Sequence, residues 1–504
     1  MTATAAGTTS RTTGAAPVAT PIAGAAPGAT SSSGPVPAHG PAGTPTDLCV
    51  VGAGYVGLTA AACFADLGHR VRCLEASPSR LGLLRRGGIP IVEPGLDGLV
   101  ARSVEEGRLA FTGDVAEAMA DASIVFLCVG TPPRPDGTPD LGQLERAARE
   151  VVTATTRDLI LVTKSTVPPG TGEALEILCA EVAAPGQRVD VVSNPEFLRE
   201  SRAVEDFFHP DRIVVGAEDP EAGRRVAALY EPGPPVVLSD RRGAELVKYA
   251  SNAFLAVKIS FANEIAGLCE RLGTDAGPVL RGVGLDNRIG SQFLSQGPGY
   301  GGSCLPKDLS GLLAVGEAVG YAAPLAAAAE AINERARRSV VEKLEVALGG
   351  LTGTRVGVLG LAFKPGTDDT RDSPAVDLVN LLVKRGADVR AQDPLAAPIE
   401  LPAPRVADPL EAAAGADALV VATGWADYGA LDPDAVGEVM ARRVVLDAVG
   451  ILPADRWRDA GFVVYGVGRG APTSFHPVVW APIEWALRSR AEAGGTHDRV
   501  AATA

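Results

Sequence analysis

Three absences limit the classes of protein to which this chain of 504 residues can belong. Histidine is scarce, with five in the chain, and the seven cysteines are odd in number and form no CxxC pair, so neither a metal framework nor a disulfide scaffold is expected. No apolar run is long enough for a transmembrane helix. Charge of one sign forms no long run, and the net charge of -14 argues against nucleic acid or an anionic membrane as the main partner. The scattered cysteines favour a reducing cytoplasm.

The two ends of the chain differ in composition from the rest. Residues 1–45 are almost entirely Ala, Thr, Pro, Gly and Ser, with Arg11 as the single charge, and this composition predicts a disordered tail. Residues 471–504 form an extension rich in Ala and Arg, in which a short helix over 480–490 is predicted.

A dinucleotide-binding pattern opens the ordered part. A short apolar strand over 48–51 precedes Gly52-Ala53-Gly54-Tyr55-Val56-Gly57, a helical pattern follows, and a second strand ends at Glu75. Gly52 permits the tight turn, Gly54 the approach of a pyrophosphate, and Gly57 close packing of helix on strand. Glu75 is predicted to accept hydrogen bonds from the adenosine ribose and to repel a 2′-phosphate, so NAD is favoured over NADP.

Solid apolar runs over 123–129, 159–162, 189–192 and 213–215 predict further strands of a parallel sheet. Polar segments follow several of these strands, and the carboxyl edge of such a sheet is where ligands bind. In the segment after the third run, Asn194 and Pro195 are predicted to be the N-cap and first residue of a helix, with Glu196 and Glu200 on one face of it.

The middle of the chain predicts a helical domain. Residues 244–266 contain no Gly or Pro and predict one long helix, on which Lys248 and Asn252 share a face. A second helix is predicted over 325–348. Between them a glycine-rich loop leads to Cys304, and Lys307 just beyond is expected to favour the nucleophilic thiolate. The alternative is that Cys304 is a small buried hydrophobe in a packing loop.

Strand and helix alternate again after residue 355. Strands are predicted over 356–363, 388–391, 418–422, 444–446 and 462–465, and this second α/β domain lacks a GxGxxG. Lys364 and Arg371 are expected to meet an anion such as a diphosphate. The predicted divisions are a tail over 1–45, a dinucleotide-binding domain over 46–240, a central helical domain over 241–348, a second α/β domain over 349–470 and an extension over 471–504.

Together these motifs resemble those of the nucleotide-sugar dehydrogenases. The most specific pieces are the run from Gly299 to Asp308, the run from Asn194 to Glu200, and Phe363-Lys364 with Thr370-Arg371, and the match extends over 47–469. The resemblance implies a Rossmann domain that binds NAD, a central helical dimerisation domain and a second Rossmann-like domain that holds UDP. The fold class expected is therefore α/β, with two parallel-sheet domains joined by helices.

The resemblance also implies an activity. It is a four-electron oxidation of the C6 alcohol of a nucleotide sugar to a carboxylate with two NAD⁺, and the substrate expected is UDP-glucose. Cys304 would trap the intermediate aldehyde as a thiohemiacetal, which becomes a thioester that water hydrolyses. Lys248 would stabilise the oxyanion, Asp308 and a water would relay protons, and Asn252 would hydrogen-bond the reacting oxygen. Thr166 and Glu200 would position water.

Motif matching extends these roles to the binding residues. The positions matching NAD contacts are Gly52, Gly54, Val56, Gly57, Glu75, Arg80, Thr131, Thr166, Glu200, Lys307 and Arg371. The positions matching substrate contacts are Glu196, Phe197, Leu198, Arg199, Glu200, Lys248, Asn252, Phe293, Leu294, Ser295, Gln296, Gly297, Gly301 and Lys364. Arg288 matches an arginine that reaches the substrate of a neighbouring subunit, which implies a homodimer.

Two departures from the family pattern leave the nucleotide open. Asp447-Ala448-Val449-Gly450 lacks an arginine usual on the UDP side, and Gly424 stands where an acid is usual. The alternatives are a dehydrogenase of GDP-mannose or of a UDP-N-acetylhexosamine, a two-electron dehydrogenase that needs no cysteine, and a non-catalytic nucleotide-binding regulator. Ser303 argues against the N-acetylated substrates, and Arg288-Ile289-Gly290 favours UDP-glucose over GDP-mannose.

Overall fold

A computed structural model describes residues 44–469 of the chain. Most of the predicted disordered tail and the predicted helix over 480–490 therefore lie outside the described residues. The first sheet has eight strands: β1 (Asp47–Val51), β2 (Arg70–Leu74), β3 (Leu109–Thr112), β4 (Ile124–Leu127), β5 (Leu159–Thr163), β6 (Val189–Ser193), β7 (Ile213–Ala217) and β8 (Val236–Ser239). Their spatial order is β3-β2-β1-β4-β5-β6-β7-β8, which begins with the Rossmann order.

Helices cover both faces of this sheet. They are α1 (Tyr55–Asp66), α2 (Pro78–Arg85), α3 (Leu96–Glu105), α4 (Val115–Met119), α5 (Gly142–Thr153), α6 (Thr171–Val182), α7 (Ala203–Phe208) and α8 (Pro220–Ala227). Phe64 of α1 lies at the centre of one core, where its ring contacts those of Phe126, Phe207 and Tyr230. The central strands are buried on both faces, which explains their uninterrupted apolar sequence.

The direction of β7 differs from the prediction. Residues 213–215 were expected to run parallel to the other strands, but β7 pairs antiparallel with β6, with Val192 opposite Ala217. The chain after β6 stays at the carboxyl edge of the sheet, where Asn194 is buried, instead of crossing back through a long helix. It therefore re-enters the sheet from that edge, and β8 then runs parallel to β7.

Four helices follow the first sheet: α9 (Arg241–Leu272), α10 (Ala276–Gly284), α11 (Leu305–Ala318) and α12 (Pro324–Leu348). The long helix predicted over 244–266 is confirmed in α9, which begins where Asp240 accepts a hydrogen bond from Gly243 N (2.7 Å) and ends at Gly273, whose φ is +70°. Helices α10 and α11 were not predicted. Within 44–469, none of the helices has both the length and the apolar character needed to cross a bilayer.

The second sheet has six parallel strands. They are β9 (Arg355–Leu359), β10 (Asp388–Gln392), β11 (Arg405–Val406), β12 (Ala418–Val421), β13 (Val444–Asp447) and β14 (Val463–Gly466), in the order β11-β10-β9-β12-β13-β14. The helices α13 (Pro374–Lys384), α14 (Pro409–Ala413), α15 (Ala426–Gly429), α16 (Pro433–Val439) and α17 (Ala454–Asp459) accompany it. The strand predicted over 356–363 is shorter than expected, because Gly360 has φ +105° and turns the chain directly after Leu359.

Candidate active site

One cavity of about 560 Å³ brings together segments that are far apart in sequence. Its walls come from the segment after β6, from α9, from the loop before α11 and from the loop after β9. The predicted site residues that line it are Glu196, Phe197, Leu198, Arg199, Glu200, Lys248, Asn252, Phe293, Gly301, Cys304 and Lys364. Of the polar segments predicted at the carboxyl edge of the first sheet, the one after β6 lines this cavity, together with Lys164 from the end of β5.

Cys304 lies at the start of α11, where its Sγ is 3.5 Å from Ser303 Oγ. Burial raises the pKa of the Cys304 thiol, whereas the charge of Lys248 lowers it and the net shift is upward. The predicted activation by Lys307 is therefore not the arrangement found. Lys307 Nζ lies 2.7 Å from Asp308 Oδ1, because that buried carboxylate is its neighbour on the first turn of α11, and the cation that acts on the thiol is Lys248.

Lys248 forms a buried ion pair with Glu196. Its Nζ donates to Glu196 Oε1 at 2.9 Å, and the two side chains are only 5% and 6% exposed. Burial lowers the pKa of Lys248, but the charges of Glu196, Asp308 and Cys304 outweigh this and raise the pKa overall. The ion pair with Glu196 thus favours the ammonium form of Lys248 in the cavity wall, and such a charge stabilises oxyanions formed beside it.

Asn252 lies one helical turn beyond Lys248, as predicted, and its Nδ2 donates to Asp308 Oδ2 at 2.6 Å. Asp308 is buried in the first turn of α11, four residues after Cys304. One face of α9 therefore supplies an ammonium and an amide to the start of the helix that carries the thiol. This arrangement places a nucleophile and a positive charge in the wall of one cavity, and the buried Asp308 carboxylate is hydrogen-bonded to the Asn252 amide of the same wall.

The segment after β6 is neither helix nor strand, and the predicted helix at Pro195 is wrong. Asn194 does not cap a helix, because its Oδ1 accepts hydrogen bonds from Lys164 Nζ (3.1 Å) and Tyr230 Oη (2.6 Å) and its Nδ2 donates to Val214 O (2.8 Å). Glu196 and Glu200 consequently do not share a helical face. Glu196 accepts a hydrogen bond from Lys248 and Glu200 accepts one from Ser303. The next helix, α7, begins only at Ala203.

Glu200 connects the first sheet to the loop after β9. Its Oε1 accepts from Ser303 Oγ at 3.1 Å and its Oε2 from Thr367 Oγ1 at 3.2 Å. Lys364 Nζ donates to its backbone carbonyl at 2.5 Å, and Arg371 Nη2 lies 3.8 Å from Oε1. Burial, followed by the nearby Asp369, raises the pKa of Glu200. Glu200 is thereby bonded both to the residue before Cys304 and to the loop after β9.

The glycine turn after β1 has the geometry that a dinucleotide requires. Gly52 has φ +99°, and a Cβ at Gly57 would lie 1.9 Å from Gly52 O, so both positions need glycine. Among residues 44–469, a Cβ at Gly54 would meet nothing within 4 Å, and no side chain caps the N-terminus of α1, which begins at the next residue. Open space over an uncapped helix N-terminus fits a pyrophosphate.

Glu75 lies against this turn. Its Oε2 accepts from Ala53 N at 2.9 Å, its Oε1 accepts from Ser77 N at 2.7 Å, and Arg80 Nη1 is 3.4 Å from Oε2. The buried acid thus holds the backbone of the turn. The loops that follow β4 and β5 are joined by a hydrogen bond, in which Thr131 Oγ1 donates to Thr166 O at 2.8 Å. The two threonines predicted to meet the cofactor therefore lie side by side.

Some predicted substrate residues do not line the cavity. Arg288 is 88% exposed and pairs with Asp286 at 2.6 Å. Leu294 is buried in the core beneath the loop, and Gly297 N donates to Asn263 Oδ1 at 2.8 Å. The roles of these residues, and of Ser295 and Gln296, stay predictions.

Other residues that hold the site were missed. On α12, Asn333 accepts from Tyr300 N (2.7 Å) and donates to Tyr300 O (3.1 Å), while Arg337 Nη2 donates to the same carbonyl at 2.7 Å. On α9, Glu245 accepts from Gly170 N, Gly172 N and Ser193 Oγ. In the sequence these three residues look like the polar residues of a solvent-exposed helix face. The structure shows instead that they are buried, and nothing in the local sequence indicates this.

Glu245 predicts a pH dependence of stability. Burial raises the pKa of Glu245 from 4.5 to about 7. The folded chain then binds more protons than the unfolded chain between these two values, so this residue's contribution to stability falls as pH rises through that window, by about 3 kcal/mol at most. Glu245→Gln should remove that part of the fall. Urea unfolding at pH 5 and pH 8 checks this, and an unchanged difference between the two pH values would contradict it.

Comparison with known proteins identifies the family. Three family models match consecutive parts of the chain: the NAD binding domain of the UDP-glucose/GDP-mannose dehydrogenase family over 46–233, its central domain over 242–335 and its UDP binding domain over 357–454. The chain belongs to the UDP-glucose/GDP-mannose dehydrogenase family. Its cofactor is NAD, in agreement with the open, uncapped glycine turn.

Individual relatives are similar over nearly their full length. The UDP-glucose 6-dehydrogenase of Rhizobium meliloti is 45% identical over 84% of this chain and 99% of its own, and that of Pseudomonas aeruginosa is 43% identical over 84% and 97%. A solved UDP-glucose dehydrogenase of Pyrobaculum islandicum has a TM-score of 0.79 at 43% identity and covers 87% of this chain and all of that one. These matches confirm the predicted nucleotide-sugar dehydrogenase family and its two α/β domains with central helices.

Proposed function

We propose that this protein oxidises the C6 alcohol of UDP-glucose to the carboxylate of UDP-glucuronate, with two molecules of NAD⁺ reduced per sugar. The observation that carries this proposal is the placement of the Cys304 thiol in the same cavity as Lys248 and Asn252. A simple two-electron alcohol dehydrogenase needs no nucleophile there. An aldehyde, by contrast, gives up a hydride only after something has added to it, and a thiolate supplies that addition.

The first oxidation needs a proton acceptor near C6. Asp308, acting through a water, takes the hydroxyl proton, and Lys248 stabilises the negative charge that develops on the oxygen. The glycine turn after β1 would hold NAD⁺, which would supply the hydride acceptor for each of the two oxidations. Asn252 is placed to hydrogen-bond the same oxygen, because its amide lies one helical turn from Lys248 and contacts Asp308.

The second oxidation proceeds through Cys304. Its thiolate adds to the aldehyde carbon and forms a thiohemiacetal, whose oxyanion again faces Lys248. Loss of the second hydride leaves a thioester. A water positioned by Thr166 and Glu200 then attacks the carbonyl, and cleavage of the C–S bond releases the carboxylate and regenerates the Cys304 thiolate. The two protons of the water leave through the same Asp308–water relay. The protein's own groups thus supply the nucleophile, the charge and the proton acceptor.

Each of the three domains predicted from the sequence is proposed to have its own role. Residues 46–240 bind NAD, residues 241–348 form the dimerisation region and residues 349–470 hold UDP.

The loop over 447–450, which departs from the family pattern, is internally bonded: Asp447 accepts from Gly450 N (2.7 Å) and Leu452 N (2.8 Å), and Arg469 Nη2 lies 3.9 Å from its Oδ2. The names of the relatives favour UDP-glucose over GDP-mannose and over N-acetylated sugars, and a UDP-D-ManNAc dehydrogenase of Pyrococcus horikoshii is only 29% identical.

The exposed surface of α9 supports a homodimer. Phe254, Phe261 and Leu268 are exposed on this helix at seven-residue intervals, and large apolar side chains in such a row favour burial against a second copy. Arg288 belongs to the same helical region and is free to reach across, since its one ion pair is to the neighbouring Asp286. Light scattering on the purified protein measures the oligomeric state.

A panel of nucleotide sugars tests the proposed substrate. UDP-glucose, UDP-N-acetylglucosamine, UDP-N-acetylmannosamine and GDP-mannose are each incubated with NAD⁺, and the products are identified by mass spectrometry. Conversion of UDP-glucose to UDP-glucuronate at a much higher kcat/KM than the others is expected. Turnover of GDP-mannose alone would reassign the nucleotide, and no turnover of any sugar would favour a binding protein.

The cofactor assignment predicts the behaviour of Glu75→Ala. Removing the carboxylate takes away a ribose hydrogen-bond acceptor and the negative charge that opposes a 2′-phosphate. We expect KM for NAD⁺ to rise at least tenfold and the preference for NAD⁺ over NADP⁺ to shrink. Initial rates with both cofactors measure this, and an unchanged preference would contradict the role of Glu75.

A further inference from the structure

A buried glutamate that was not among the predicted site residues lies between the glycine turn and the substrate cavity. Glu93 precedes α3 and is only 7% exposed. Its Oε1 accepts hydrogen bonds from Ala203 N (2.7 Å) and Val204 N (3.4 Å), and Tyr55 Oη donates to its Oε2. A carboxylate buried with this many donors is a fixed anchor for the backbone that it holds.

Tyr55 links this anchor to the cofactor turn. It is the first residue of α1 and belongs to the GxGxxG run, directly after Gly54. Its hydroxyl also accepts a hydrogen bond from Ser201 N at 2.7 Å, from a residue 146 positions along the chain. One phenol therefore connects the N-terminus of the dinucleotide helix with both Glu93 and the end of the segment after β6.

The held backbone directly follows Glu200. Ser201 has φ +67°, an unfavourable conformation for a residue with a side chain, so the chain there is kept in place by its partners. Glu200 in turn contacts Ser303, the neighbour of Cys304, and Lys364 of the loop after β9. A shift of Ser201 would therefore move the Glu200 carboxylate, which is bonded to the residue before Cys304, and one wall of the substrate cavity.

We propose that Tyr55 and Glu93 are positioning residues that couple NAD binding to the substrate segment 194–204. Occupation of the glycine turn orders the start of α1, and Tyr55 transmits this order through Glu93 and Ser201 to Glu200. The proposal rests on the proposed function, because it assumes that the turn binds NAD and the cavity binds the nucleotide sugar. Its consequence is reciprocal: each ligand should bind more tightly when the other is present.

Two conservative variants test the coupling by binding as well as by rate. Tyr55→Phe removes one hydroxyl, and Glu93→Gln keeps the shape of the side chain and removes its charge. We measure NADH binding by fluorescence and UDP-glucose binding by calorimetry, each with and without the other ligand, together with kcat and both KM values. We expect each variant to weaken both ligands, to lower kcat by about ten- to a hundredfold, and to abolish the mutual tightening.

The double variant Tyr55→Phe/Glu93→Gln should be no worse than the more damaged single variant, because both changes break one connection. Tyr428→Phe is the matched control: it removes a buried hydroxyl that donates to Gln392 Oε1 at 2.6 Å in the second sheet region, and should leave both affinities unchanged. Thermal unfolding of every variant shows whether it is folded.

The outcomes separate this inference from the proposed function. Loss of the mutual tightening in both single variants supports the coupling. If Tyr55→Phe changed only NADH binding and Glu93→Gln only UDP-glucose binding, or if both merely lowered the unfolding temperature, the coupling would be refuted. If the parent protein bound neither ligand, the proposed function itself would fail. If Glu93→Gln does not fold, Glu93→Asp is the second variant: it keeps the charge and shortens the side chain, so that its carboxylate loses reach to Tyr55, Ala203 and Val204.

Discussion

Cys304→Ser is expected to lower the rate of UDP-glucuronate formation by roughly a thousandfold or more, because a hydroxyl is a far weaker nucleophile than a thiolate. Serine has nearly the same shape, so folding and the binding of both ligands should survive. The variant should also fail to oxidise the C6 aldehyde when that compound is supplied, although it should still reduce it with NADH. Product formation by mass spectrometry and NADH absorbance measure both reactions.

Cys49→Ser is the matched control for this change. Cys49 lies in β1 and is fully buried, so its hydroxyl variant should cost about 1–3 kcal/mol of stability while the rate per folded molecule stays at the parent value. If Cys304→Ser made UDP-glucuronate at nearly the parent rate, Cys304 would be a structural cysteine and the proposed mechanism would be wrong.

Lys248→Met should damage both chemistry and stability. It removes the fixed charge beside the reacting oxygen, and loss of such a group lowers kcat by about a hundred- to a thousandfold. It also leaves the Glu196 carboxylate buried without its ion-pair partner, which typically destabilises a protein by about 3–5 kcal/mol. Because Lys248 lowers the pKa of Cys304 against the effect of burial, the thiol should also react more slowly with iodoacetamide at pH 8.

The double variant Lys248→Met/Glu196→Gln separates these two effects. Neutralising Glu196 removes the unpaired buried charge, so most of the lost stability should return, as measured by urea unfolding. The rate should remain low, because the oxyanion still lacks its cation. Recovery of the rate together with stability would show that Lys248 acts only as a structural partner of Glu196.

The sequence predicted those features that depend on local pattern. The glycine turn, the long helix α9 and the loop that ends at Cys304 each have a composition that few other structures accommodate. The rule that parallel strands end at one edge also predicted which loops would meet. The resemblance to the nucleotide-sugar dehydrogenases, which these motifs carry, is what assigned Lys248, Asn252 and Cys304 to one site.

Partnerships between distant residues were not predictable in this way. Asn194 precedes a proline as an N-cap does, but Lys164 and Tyr230 occupy its side chain, so no helix forms there. Lys307 is close to Cys304 in sequence, yet Lys248, 56 positions away, is the cation that acts on the thiol. Glu93 is one acid in an apolar run, and nothing local indicates that it binds backbone more than a hundred residues away.

The ratio of NADH formed to UDP-glucose consumed tests the central claim most directly. The purified protein is incubated with limiting UDP-glucose and excess NAD⁺; NADH is quantified by absorbance, and the remaining sugar and its product by mass spectrometry. Oxidation to the carboxylate through Cys304 predicts two NADH per sugar, with UDP-glucuronate as the product and no free aldehyde. One NADH per sugar, with the C6 aldehyde as the product, would contradict the four-electron oxidation and the role assigned to Cys304.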